Sequence, residues 1–241
     1  GANNFTTLDS AVQFLSGCGV SGPVTFTLAA NQTWTTGISL TSVIGASSTN
    51  TVTFQGQTGS KVMAALGMNE AVLLNGTKYV TLKDMIIDGN GFTAIRLTNN
   101  AQYINIEDNL VVADTVGTTS SVVAIAATSS MTSGTAYGNN ANHITISGNE
   151  IKGGYYGIVM NGSSLSSRIS DINILNNDLT LQYFYGIRCY YVEDVDIIGN
   201  SFTDARASGS YGIYAGYCFD FNIEVGPAQS LFINHRKQLL K

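Results

Sequence analysis

The chain has 241 residues and a formal net charge of −5, and charged residues make up only 11% of it, against about 25% in ordinary soluble domains. This low charge argues against amphipathic helices, whose exposed faces need Lys, Glu and Arg. The shortage of cations argues against nucleic acid as a partner. No apolar run approaches the ~18 residues of a membrane span, so we expect an all-β protein without membrane insertion.

The first predicted element is a short helix within residues 6–16. Either Thr6 or Thr7 is suited to cap its N-terminus. Apolar residues follow at helical spacing: Leu8, Ala11, Val12 and Leu15. A helix at this place would cover the open edge of a sheet, so we expect residues 1–22 to form an N-terminal cap.

Residues 23–226 repeat two short patterns, mostly at intervals of roughly 23 to 34 residues. The first is Tyr-Gly-Ile, at residues 156–158, 185–187 and 211–213. The second has the form apolar-x-apolar-x-x-Asn, and four copies end in Asn109, Asn149, Asn177 and Asn200. Alternation with period 2 predicts short strands, and their regular return predicts a chain that winds in about seven stacked coils.

The recurring Asn predicts a structural ladder at one turn of each coil. Asn tolerates left-handed backbone angles. Its amide can also hydrogen-bond to the equivalent Asn one coil away, at the strand spacing of ~4.8 Å. We therefore interpret the four Asn residues as structural rather than as ligands.

These repeats resemble right-handed parallel β-helix proteins of the pectin-lyase-like class, over roughly residues 20–226. The segments Cys18–Phe26 and Gly45–Phe54 are similar to the opening coil of large secreted bacterial surface proteins. The resemblance implies an all-β, single-stranded right-handed parallel β-helix that is secreted or on the cell surface. It implies little about activity, since the class holds lyases, glycosidases, esterases, adhesins and phage tailspikes.

The last segment, residues 227–241, differs in composition from the coils. Gly226-Pro227 marks a break, and three of the eleven cations follow it. Its apolar residues could close the last coil as a C-terminal cap. The segment could equally be a non-native tail.

The late coils carry the candidate ligand-binding residues. In the pectin-lyase-like class, the strand that corresponds to the Tyr-Gly-Ile repeat belongs to the sheet that usually lines a polysaccharide groove. Tyrosine rings suit sugars because their faces contact C–H groups while the hydroxyl stays in water. The residues predicted to bind a ligand are Arg188, Tyr190, Tyr191, Tyr214 and Tyr217. Tyr156, Tyr185 and Tyr211 are expected instead to pack on one another along the repeat.

A second column of outward residues is acidic, and it comprises Asp171, Asp194, Asp196 and Asp220. Like charges at strand spacing destabilise a sheet unless something compensates them. Bound Ca²⁺ would do so, and so would water and salt. A catalytic carboxylate pair is a third interpretation. No cofactor is required, and Ca²⁺ could bind.

Cys189 and Cys218 lie on neighbouring repeats, so the sequence allows a disulfide between them. The three cysteines form no CxxC pair and no even framework, which favours buried thiols.

Known catalytic motifs are missing, among them GxSxG, HExxH and a phosphate-binding loop. The leading hypothesis is therefore an extracellular β-helix module that binds polysaccharide or a cell-surface glycan and belongs to a larger secreted or surface protein. One alternative is a polysaccharide lyase or glycoside hydrolase with a groove along the late coils, in which Arg188 and Tyr214 are a conceivable lyase pair. The other is a phage-type or adhesin fibre element that forms an oligomer.

Overall fold

The computed structural model describes residues 4–224 and the strand Leu231–Asn234. The chain winds as a right-handed parallel β-helix through three parallel sheets, with one strand of each sheet in every coil. Seven complete coils are followed by one further strand in each of two sheets. The predicted fold class and coil number are confirmed.

Helix α1 (Leu8–Cys18) precedes the coils. The first four coils contain β1 (Val24–Thr27), β2 (Thr33–Trp34), β3 (Ile38–Leu40), β4 (Val52–Gln55), β5 (Lys61–Met63), β6 (Glu70–Asn75), β7 (Lys78–Lys83), β8 (Ile86–Asp88), β9 (Thr93–Thr98), β10 (Ala101–Glu107), β11 (Leu110–Val112) and β12 (Val123–Ala127). The later ones contain β13 (Ala141–Ser147), β14 (Glu150–Lys152), β15 (Tyr156–Asn161), β16 (Ile169–Leu175), β17 (Asp178–Thr180), β18 (Tyr185–Tyr190), β19 (Val192–Ile198), β20 (Ser201–Thr203), β21 (Tyr211–Gly216), β22 (Phe219–Glu224) and β23 (Leu231–Asn234). Sheet A begins with β1, β4 and β7, sheet B with β2, β5 and β8, and sheet C with β3, β6 and β9. Each sheet continues with every third strand. The exception is β23, which joins sheet C next to β21.

The three sheets enclose one apolar core built from the alternating residues of each strand. In β16, Ile172 and Ile174 are fully buried, while Asp171 and Asn173 point outward. The parallel register places Ile172 beside Val195 of the next coil, so like residues stack along the whole axis. Full burial of such a side chain contributes about 1.5–3 kcal/mol.

The turn from sheet A to sheet B repeats the same backbone conformation and carries the predicted ladder. A left-handed residue comes first, with φ between 54° and 68° in Asp108, Gly148, Asn176 and Gly199. The following Asn is buried in each case. Asn149 Nδ2 donates to Asn177 Oδ1 at 2.9 Å, and Asn177 Nδ2 donates to Asn200 Oδ1 at 2.9 Å. The structural interpretation of these asparagines is confirmed.

Helix α1 covers the first coil, as the sequence predicts. Thr7 is the N-cap, and its Oγ1 accepts a hydrogen bond from Ser10 N at 3.1 Å. Leu8 and Leu15 are buried among the core residues. Gly19 ends the helix at φ 66°, where a Cβ would clash with the carbonyl oxygen of Ile44.

At the other end, the predicted segment 227–241 is described only in β23. This strand pairs in parallel with β21, with Leu231 beside Ile213. The rest of the segment lies outside the described residues.

Two further sequence expectations concern the cysteines and the membrane. Cys189 and Cys218 are buried free thiols, so no disulfide joins them. Burial raises the pKa of Cys218 to about 12, which keeps this thiol protonated and poorly nucleophilic. Within the described ranges, no helix has the length and apolar character to cross a bilayer.

Candidate functional site

A loop of residues 128–140 crosses the outer face of sheet C. Beneath it, Arg96 donates from Nη1 to Ser130 O at 2.6 Å and to Ser133 O at 3.2 Å. Arg96 Nε also pairs with Glu70 Oε2 at 2.8 Å. Arg96 shares the predicted register with Arg188, but only 1% of its surface is exposed. Arg96 is therefore an anchor for the loop rather than part of an open surface.

On the C-terminal side of this loop, sheet C carries a group of tyrosines around one arginine, here named the Arg188 cluster. Its members are Arg188, Tyr137, Tyr156, Tyr185, Tyr190, Tyr191, Tyr214 and Tyr217. Strand register places Arg188 beside Tyr214. Tyr191 and Tyr217 follow their strands with φ 54° each, at the turn between sheets C and A.

The rings of the cluster contact one another closely. Tyr214 stacks on Tyr185 with centroids 4.9 Å apart and on Tyr190 at 5.8 Å. Tyr191 stacks on Tyr217 at 5.3 Å, and Tyr217 meets Tyr190 edge-on at 5.8 Å. The hydroxyls of Tyr190 and Tyr214 share a hydrogen bond of 3.2 Å. The structure thus brings together all five residues that the sequence predicts to bind a ligand.

Arg188 lies at the centre of this group. Its Nη1 donates to Asn161 Oδ1 at 2.8 Å, and its Nη2 donates to the Tyr137 hydroxyl at 3.1 Å. Its Cζ lies 4.7 Å from the centroid of the Tyr190 ring, within the range of a cation–π interaction. These contacts fix the position of the guanidinium group over the sheet.

Three tyrosines of the cluster, Tyr156, Tyr185 and Tyr190, have a raised pKa and are neutral at pH 7. The hydrogen bond with Tyr214 and burial raise the pKa of Tyr190. Burial raises the pKa of Tyr185 to about 12 and also raises that of Tyr156. These hydroxyls therefore act as hydrogen-bond donors and acceptors at pH 7, and they are poorly placed to act as general bases.

The predicted column of Tyr156, Tyr185 and Tyr211 also forms. Its ring centroids are 5.5 and 5.7 Å apart, and the rings are tilted by 32° and 46°.

Tyr137 was missed by the sequence reasoning. It comes from the loop of residues 128–140, and its ring centroid lies 5.7 Å from that of Tyr190 and 5.5 Å from that of Tyr191. Asn161 supports this loop, because its Nδ2 donates to Thr135 O at 2.8 Å. No repeat includes Tyr137, so register gave no signal for it.

The acidic column forms on sheet A but does not converge. Asp171, Asp194 and Asp220 share a left-handed backbone, with φ 56°, 51° and 44°, and all three are exposed. Asp171 pairs with His143 Nδ1 at 2.7 Å, and Asp196 accepts from Asn222 at 3.0 Å. Within residues 4–224, no three His, Cys, Asp or Glu side chains lie close enough to hold a metal ion. The structure places these four aspartates on the outer face of sheet A, and calcium binding by them stays a prediction.

A groove of about 310 Å³ lies on the outer face of sheet A. Tyr79, Tyr103 and His143 stack in it with centroids 4.6 and 4.4 Å apart. Asp171 ends this stack through its contact with His143. The groove lies on a different sheet from the Arg188 cluster.

These features define a parallel β-helix module with an aromatic and basic surface on its late coils. Residues 116–226, a little under half of the chain, match the family described as periplasmic copper-binding protein (NosD).

Among solved structures, the chain is similar to the crystal structure of PfbA, a surface adhesin of Streptococcus pneumoniae. The TM-score is 0.53 at 15% identity, over 90% of this chain and 62% of the adhesin chain. The chain therefore spans less than two thirds of that adhesin structure, and the likeness establishes the fold. No curated protein matches the sequence.

Proposed function

We propose that this chain is an extracytoplasmic β-helix module that binds polysaccharide or a cell-surface glycan through the Arg188 cluster. The observation that supports this most strongly is the convergence of Arg188, Tyr190, Tyr191, Tyr214 and Tyr217 on one face. The two matches add support for the location, since one is described as periplasmic and the other as a surface adhesin.

The chemistry of the cluster suits sugars. Half-buried tyrosine rings offer apolar faces to C–H groups, and their hydroxyls serve the polar rim of the sugar. Strand register and ring stacking hold these side chains in place before a ligand arrives. Little side-chain entropy is then lost on binding.

The same geometry favours binding over hydrolysis. A glycosidase needs two carboxyl groups about 5–9.5 Å apart across the bond that it cleaves. The Arg188 cluster consists of one arginine and seven tyrosines and supplies no carboxyl group of its own, and within the described residues Arg188 forms no ion pair with a carboxylate. Its contacts are to an amide, a hydroxyl and aromatic rings.

The test is to screen the whole chain against acidic and neutral polysaccharides by affinity gel electrophoresis, followed by calorimetry. For any polymer that binds, Tyr190→Ala with Tyr214→Ala should weaken affinity at least tenfold, because buried interface aromatics are typical hot spots. The control is Tyr103→Ala, which removes an aromatic side chain that is 41% exposed on sheet A, and it should leave the affinity unchanged.

Three results would count against the proposal. The first is that no polysaccharide retards the protein in the gel. The second is that the double variant binds as tightly as the parent protein, and the third is that Tyr103→Ala abolishes binding. Release of unsaturated or reducing ends from a bound polymer would show turnover and would favour the lyase or hydrolase alternative.

A further inference from the structure

Among the described residues, Arg188 has no acidic partner, although the protein as a whole is acidic. Most other described cations are paired, in Lys61–Asp88, Lys83–Asp84, Arg96–Glu70, Lys152–Glu150 and Arg168–Glu193. Lys78 and Arg206 also lack an ion pair among the described residues. Lys78 is exposed on sheet A, and Arg206 donates to the backbone carbonyls of Leu181 and Gly117 at 2.8 and 2.9 Å. Arg206 thus links two loops, whereas Arg188 lies on the candidate binding face.

The partners of Arg188 are all neutral. Its two hydrogen bonds, to Asn161 and Tyr137, use two of the five N–H donors of a guanidinium group. The group stays charged at any physiological pH. A partly buried charge without a counter-ion is less stable than a paired one, so a bound anion would stabilise Arg188.

The shape of the guanidinium group narrows the type of anion. Its planar fork matches a carboxylate through two parallel N–H···O bonds. The surrounding tyrosine rings can contact the sugar ring that bears this carboxylate. A hydrated metal ion or a neutral polymer would leave the charge of Arg188 unmatched.

We propose that the ligand of the Arg188 cluster is a carboxylated glycan, a polymer that contains uronic acid residues, and that Arg188 binds one of its carboxylates in a bidentate manner. This inference rests on the proposed function, since it assumes that the cluster binds a glycan. It adds the chemical class of the ligand and gives Arg188 the role of a specificity determinant.

The test compares polymers that differ only at the carboxylate. Polygalacturonate, alginate and hyaluronan are each measured beside their methyl esters by calorimetry at fixed ionic strength. At least one acid form should bind the parent protein tenfold or more tightly than its ester, since hydrogen bonds to charged groups are stronger than neutral ones.

Three variants separate the role of Arg188 from general charge. Arg188→Gln should bring the acid and ester affinities to within a factor of two of each other, and Arg188→Lys should recover only part of the preference because it lacks the fork. Lys78→Gln removes one charge at an exposed position on sheet A, and it should keep the full preference. Circular dichroism of each variant serves as the control for folding.

Each contrary outcome has a distinct meaning. Equal binding of acid and ester overturns the carboxylate inference and leaves glycan binding intact. If dextran sulfate binds as tightly as the uronate polymer, the carboxylate inference is also overturned, because general attraction to anions would then explain the binding. A preference for the acid form that survives Arg188→Gln overturns it as well. Failure of every acidic, esterified and neutral polymer to bind overturns the proposed function itself.

Discussion

Replacing Asn177 by Leu tests whether the asparagine ladder stabilises the coils. Asn177 is 1% exposed. Its Nδ2 donates to Ile146 O and to Asn200 Oδ1, both at 2.9 Å. Its Oδ1 accepts from Asn149 N at 3.0 Å and from Asn149 Nδ2 at 2.9 Å. Leu has a similar branched shape but makes none of these four hydrogen bonds.

The expected magnitude follows from what remains after the substitution. Asn149 Nδ2 keeps its bond to Ile106 O at 2.8 Å, and Asn200 Oδ1 keeps the backbone N–H of residue 177 at 2.9 Å. The groups that lose a partner are therefore Asn149 N and Ile146 O. Ile146 O lies in the β13–β16 ladder, so Asn149 N is the group left unsatisfied. One buried unsatisfied donor costs about 1–3 kcal/mol, so we expect the free energy of unfolding to fall by about 1–3 kcal/mol.

The assay is urea unfolding followed by far-UV circular dichroism. The matched control is Asn173→Leu in the same strand, where the half-exposed side chain makes one bond of 3.2 Å to Asp171. This control should change stability by about 0.5 kcal/mol or less. Equal losses in the two variants would refute the ladder argument. Loss of polysaccharide binding by still-folded Asn177→Leu would show that the ladder shapes the site.

Two further predictions concern the loop anchor and the tyrosines. Arg96→Met leaves the Glu70 carboxylate buried without its partner and should cost about 3–5 kcal/mol in urea unfolding; adding Glu70→Gln should restore part of it, and no recovery would argue against the ion pair. Burial raises the pKa of Tyr185 from 10.0 to about 12. The neutral phenol therefore contributes fully to the stability of the folded state below pH 10, and this contribution is lost as the pH rises through about 12. Tyr185→Phe should therefore remove one tyrosinate step near pH 12 from the ultraviolet titration, and loss of a step near pH 10 instead would contradict the burial argument.

The fold was predictable because the repeats carry redundant information. A one-residue slip would move every Ile of a strand such as β16 to the solvent face, so alternation sets the register. Asn at a fixed place in four coils marks a turn that needs a left-handed backbone and a buried hydrogen-bond partner. These requirements are local, and each coil meets them with its own residues.

The candidate site was predictable only where it lies on the strands. Arg188, Tyr190 and Tyr214 follow from register alone. Register did not predict the burial of Arg96, since that depends on a loop from a later coil and on Glu70 of the preceding one. The acidic column has the predicted register, but register does not say where a carboxylate points or which neighbour it contacts.

The sequence by itself determined the coil, the core and the ladder, because strand alternation allows only one face of each strand to enter the core. Only the tertiary structure decided that Tyr137 reaches Arg188 and that Arg96 does not reach solvent. The path of residues 128–140 depends on long-range contacts such as that between Asn161 Nδ2 and Thr135 O. Such contacts leave no periodic signal in the chain, because each is made once rather than in every coil.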